Sequence, residues 1–72
     1  MPQLPLLSGR NIIKVLGKIG YAVVRQRGSH MRLECEGRKS VTVPDYKTID
    51  RSLLRKILRD AEISPEDFIR LR

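Results

Sequence analysis

The chain holds one imidazole, His30, and one thiol, Cys35. An unperturbed imidazole, with a pKa of about 6.5, is the side chain best suited to exchange protons at neutral pH. Arg25, Arg27, Arg32, Arg38 and Lys39 are all expected close to His30 in the hairpins that the sequence predicts, with Gly28 and Ser29 immediately before it. A base among cations suits RNA transesterification: imidazole takes the ribose 2′-OH proton, and guanidinium or ammonium groups stabilise the charge that builds on phosphorus. DNA has no 2′-OH, so this chemistry selects RNA without reading bases.

Other chemistries lack the residues or the spacing. With a single His and a single Cys, a structural zinc site is short of ligands. The acids Asp45, Asp50, Asp60, Glu62, Glu66 and Asp67 are scattered over caps and helix surfaces, and Glu34 and Glu36 share one strand face. No compact carboxylate cluster of the kind a two-metal nuclease uses is present. Cys35 falls on the strand face opposite His30, beside Met31 and Leu33, as a small core residue does. Ser29 and His30 are adjacent in an extended segment and point apart, which is poor geometry for a nucleophile and its base. The plainer reading of His30 itself, a polar strand residue on a wet face, stands beside the catalytic one.

Patterning supplies the elements that must position these groups. Ser8 is an N-cap, and Ile12, Ile13, Leu16 and Ile19 recur at helical spacing until Gly20. Gly17, inside that helix, implies close packing or a weak last turn. The period then becomes two. Tyr21–Arg27 is one strand, His30–Glu36 a second with Met31, Leu33 and Cys35 inward, and Lys39–Val43 a third with Val41 and Val43 inward, ended by Pro44. Gly28-Ser29 and Gly37 supply the turns, so the strands form an antiparallel meander. Val23 and Val24 point opposite ways, which leaves both parities of the first strand open. Asp50 caps a helix over Arg51–Ala61, and Ser64, Pro65 and Asp67 start another over Pro65–Leu71. Met1–Leu7, with two prolines, reads as an extended lead-in. The expected fold is α+β: a three-stranded antiparallel sheet covered on one face by helices, in the order α-β-β-β-α-α, forming one domain over residues 1–72.

Composition agrees with an anionic partner. The 72 residues carry a net charge of +7, and the pI is about 10.3. Basic groups at Arg10, Lys14 and Lys18 and at Arg51, Arg55 and Arg59 repeat at i, i+4, i+8 on two helices, either as ordinary solvated faces or as phosphate contacts. Only three aromatics, Tyr21, Tyr46 and Phe68, are present, too few for a base-stacking platform. A lone Cys excludes an internal disulfide and favours a reducing, cytoplasmic setting, and no apolar run approaches the ~20 residues of a membrane span.

The string GYAVVRQRGSH over residues 20–30, the later VTVP, the helix LLRKILRDA and the segment ISPEDF resemble the HicA toxin family. The resemblance runs from about Ser8 to the C-terminus. It implies a double-stranded-RNA-binding-domain-like fold with a short extra helix, and a toxin that cleaves mRNA without metal or other cofactor under control of a HicB-type antitoxin. The family's catalytic histidine falls on His30 and its GSH turn on Gly28 and Ser29; RNA would be bound at that turn, with the Ser29 hydroxyl or backbone N–H donating to phosphate, and by Arg25, Arg27, Arg32 and Lys39, which would position it. The alternative from the residues is a non-catalytic module that grips duplex RNA by shape; a protein-interaction domain with a basic face is a third. Two departures stand out. Where many members carry a second His after the VxVP strand, this chain has Asp45-Tyr46-Lys47, and Glu62 stands where a Gly commonly closes the second helix.

Overall fold

The computed structural model describes residues 4–72, and Met1–Gln3, the start of the expected lead-in, lie outside it. Helix α1 spans Gly9–Gly17, strands β1, β2 and β3 span Ala22–Arg27, His30–Glu34 and Val41–Pro44, and helices α2 and α3 span Arg51–Ala61 and Pro65–Leu71. This is the expected α+β layout, with the antiparallel sheet in the order β1-β2-β3.

All three helices begin where a side-chain oxygen satisfies an orphan amide: Ser8 accepts from the Asn11 N–H, Asp50 from Leu53 and Ser64 from Asp67. Helix α1 stops at Gly17, short of the expected Gly20, and no atom of the described residues packs where a Gly17 side chain would lie. The weak last turn, rather than close packing, therefore accounts for that glycine. The core lies between the helices and the inner face of β2 and β3, where Met31, Leu33, Val41 and Val43 meet Ile12, Leu16, Leu54, Leu58 and Phe68.

Several boundaries differ from the pattern reading. β2 ends at Glu34, leaving Cys35 half-buried in the following turn with its Sγ donating to the Ile19 carbonyl at 3.5 Å. Pro44 does not lie just past the third strand but belongs to β3, opposite His30. A proline fits there because β3 is an edge strand with a side that needs no ladder N–H. The lead-in and the loop before α2 join: Leu7 bridges Ile49, Leu4 and Ile49 are buried, and the Arg51 Nε donates to the Leu4 carbonyl at 2.6 Å. No helix among the described residues is long and apolar enough to cross a membrane.

β1 resolves the open parity in a way neither alternation suggests, since all six of its residues are exposed. Val23 pairs with Leu33, but the next pair is Arg25 with Arg32, so Val24 is an extra residue held in a bulge. Val23 faces the covered side, opposite Leu33, yet stays 44% exposed.

Candidate active site

The bulge decides what the outer face of the sheet carries. With regular pairing after Val23, Val24 would oppose Arg32 and Arg25 would oppose Met31, on the covered side, because a one-residue slip reverses every side chain. Absorbing Val24 instead puts Arg25 opposite Arg32 and Arg27 opposite His30. Arg25, Arg27, His30 and Arg32 thus share one solvent-facing surface, joined by Thr42, which pairs with Arg32 from β3.

These five residues line a depression of about 210 Å³. His30 is exposed, and its side chain makes no hydrogen bond among the described residues. The Arg32 Nη1 donates to Thr42 Oγ1 at 2.9 Å. Among the described residues no carboxylate lines the hollow. Among the described residues the ion pairs are Arg10–Asp45, Lys56–Asp60 and Arg70–Asp67, and none includes a site arginine. Like charges directly opposite on neighbouring strands are destabilising, so Arg25 facing Arg32 is an arrangement that an anion between them would relieve.

Two other hollows, each about 270 Å³, lie elsewhere and lack the imidazole. One of them mixes Arg38 and Arg70 with Glu62 and Asp67, so its charges offset each other.

Local geometry holds His30 in place. Gly28, with φ +55°, occupies the first central position of a two-residue turn, and Ser29 does not share that positive φ, as in a type II′ hairpin. Gln26 Nε2 donates to the Gly28 carbonyl at 3.0 Å. On the other side the Asp45 N–H donates to the Ser29 carbonyl, tying the segment after β3 to the turn. Arg10 then clamps Asp45 through Nε at 3.0 Å and Nη2 at 2.9 Å. Those hydrogen bonds, with the attraction of the guanidinium, hold the Asp45 carboxyl below the usual carboxylate range and the Arg10 guanidinium above its own. Helix α1 abuts the same segment, with the Gly9 N–H donating to the Tyr46 carbonyl at 2.9 Å.

Of the residues expected from sequence to surround His30, the structure gathers Arg25, Arg27 and Arg32 there, with Gly28 and Ser29 as the turn. Arg38 and Lys39 are not close to it, contrary to the expectation. They lie in the connection between β2 and β3, which in an antiparallel hairpin is at the far end of the strand that His30 begins. There Arg38 Nη1 donates to the Ala61 carbonyl at 2.9 Å, and the Lys39 carbonyl accepts from the Tyr21 hydroxyl at 2.8 Å. Burial, first of all, holds the Tyr21 phenol above its ordinary pKa. Thr42 was not singled out by sequence, although its outward parity on the third strand was readable; its pairing with Arg32 was not. The α1 stripe is partly consumed inside the molecule, Arg10 by Asp45 and Lys18 by the Leu71 carbonyl at 2.6 Å. No group of three or more His, Cys, Asp or Glu side chains among the described residues is placed to hold a metal ion.

Residues 9–63, which include the whole sheet and the depression, match the family model described as the HicA toxin of bacterial toxin–antitoxin systems. A chain in the solved structure of a toxin–antitoxin complex from Streptococcus pneumoniae has the same fold, with a TM-score of 0.71 at 22% identity, covering 79% of this chain and 98% of that one. Comparison with curated proteins gives no match.

Proposed function

Because the chain belongs to the HicA toxin family of bacterial toxin–antitoxin systems, we propose that it is a metal-independent endoribonuclease whose general base is His30. The observation that carries the reading is the depression itself: an exposed imidazole among three guanidinium groups, with no carboxylate in the lining. His30 removes the proton from a ribose 2′-OH, and the freed oxygen attacks the adjacent phosphorus. The bond to the 5′ oxygen breaks and that oxygen takes up a proton from water, leaving a 2′,3′-cyclic phosphate on one fragment and a 5′-hydroxyl on the other. Arg25, Arg27 and Arg32 hold the phosphate and offset the charge that grows on its non-bridging oxygens in the transition state. Gly28 and Ser29 shape the turn that presents the imidazole. Lys39, at the other end of the sheet, serves RNA at most outside this hollow.

A HicB-type antitoxin is the expected protein partner, and mRNA the substrate, with the reaction taking place in the cytoplasm. Covering an exposed imidazole is the simplest way for such a partner to silence the enzyme.

Purified protein incubated with labelled RNA in EDTA tests the reading. Cleavage is expected, and His30→Ala should slow it by roughly 10²–10⁴-fold, the usual cost of losing a general base, with RNA affinity largely kept. Undiminished cleavage by His30→Ala would refute the assignment. RNA that is retarded in a gel but never cut would favour the non-catalytic duplex-binding module.

A further inference from the structure

We propose that Thr42 is a positioning residue for Arg32, holding one edge of its guanidinium so that the rest of the fork faces the scissile phosphate. The inference rests on the endoribonuclease reading of the same depression. Thr42 and Arg32 are directly paired across β2 and β3, Oγ1 accepts from Nη1 at 2.9 Å, and both side chains line the hollow with His30.

The chemistry of the pair explains why a hydroxyl is needed. A guanidinium has five N–H donors in a rigid planar fork. An exposed arginine among other arginines has no carboxylate to orient it and is repelled by its neighbours. Anchoring one donor on Thr42 fixes the plane and leaves four donors free for an anion. Thr Oγ1 can accept this bond, as a valine methyl of nearly the same shape cannot. Arg25 and Arg27, on the far strand, have no such anchor among the described residues, so Arg32 is the one site arginine whose direction the fold sets by a side-chain hydrogen bond.

The effect belongs in the chemical step. Arg32 keeps its charge without Thr42, so attraction to RNA and KM change little. Geometry at the transition state suffers, and kcat falls; misplacement of about 1 Å costs up to ~10²-fold. Steady-state cleavage by Thr42→Val should therefore show kcat lowered roughly ten- to a hundredfold with KM nearly unchanged, and Thr42→Ser should restore it. In an Arg32→Ala background, Thr42→Val should cost nothing further, since there is no fork left to position. Nitrogen relaxation of the Arg32 guanidinium gives a readout independent of cleavage: its rotation should be slow in the wild type and Thr42→Ser and fast in Thr42→Val. Wild-type kcat or unchanged Arg32 dynamics in Thr42→Val overturns the proposal, as does an equal loss in the Arg32→Ala background. Failure of the general-base reading shows separately, as full activity in His30→Ala. Should RNA bind without being cut, the guanidinium measurement alone decides the role of Thr42.

Discussion

Replacing Gly9 by Ala and Gly17 by Ala should move stability in opposite directions, although both glycines lie in α1. A Cβ on Gly9 would fall 2.0 Å from the Pro44 carbonyl oxygen and 3.0 Å from its carbon, both backbone atoms that cannot swing aside, and 3.4 Å from Val43 Cγ1. Relief needs the start of α1 and the end of β3 to part by more than an ångström. That movement strains the 2.9 Å bond from Gly9 N–H to the Tyr46 carbonyl and loosens Ile12 and Val43, which are fully buried. Overpacking costs about 1–3 kcal/mol, and a weakened hydrogen bond adds about 1 kcal/mol. Against this, Ala returns at most ~1 kcal/mol of helix propensity. The net loss is about 2 kcal/mol, and a domain of this size shifts about 4–8 °C per kcal/mol, so Tm should fall by roughly 8–16 °C. At Gly17 no atom of the described residues lies within 4 Å of an added Cβ and φ is not positive, so only the propensity gain remains and Tm should rise by up to ~8 °C. Thermal melts followed by far-ultraviolet circular dichroism measure both. A Gly9→Ala variant that melts at or above the wild type would refute the packing of α1 on the strand that pairs with His30.

Two further outcomes are expected. Glu62 closes α2 in the left-handed region, at φ 60° and ψ 43°, while its N–H serves the carbonyls of Arg59 and Leu58. Such a conformation costs a non-glycine residue about 1–2 kcal/mol, so Glu62→Gly should raise the urea midpoint at constant m-value, and an unchanged midpoint would count against a strained cap. Asp45, whose carboxyl the Arg10 hydrogen bonds hold below its usual range, contributes stability that is complete above the unfolded carboxylate pKa of about 4 and disappears as pH falls through the lower folded value. Asp45→Asn should therefore be less stable than the wild type at pH 7, with the gap closing in strongly acidic urea titrations; a gap that persists there would mean that the Arg10 pairing is not its source.

How far the site could be read from sequence depends on which interactions build each part. The caps at Ser8, Asp50 and Ser64 and the alternation of Met31, Leu33, Val41 and Val43 are local, and the structure keeps them. What was missed is long-range. Leu4 and Ile49 are buried where Leu7 bridges Ile49, 42 positions away, a contact that no periodicity reports. Arg38 and Lys39 are as near to His30 in sequence as any site arginine would need to be, yet the hairpin carries them to the opposite end of the sheet. The first strand is the sharpest case. All six of its residues are exposed, so burial dictates no parity, and Val23 and Val24 together fit no single face. Two outside restraints settle it instead: the two-residue turn sets Arg27 opposite His30, while Leu33 takes Val23 at the other end. Five β1 residues, Val23 to Arg27, must then match the four from His30 to Leu33, and the surplus is Val24. The bulge is thus the price of satisfying both ends. Were the strand paired regularly from Val23 onward, Arg25 and Arg27 would turn to the covered side, and of the three arginines His30 would keep Arg32 alone on the outer face.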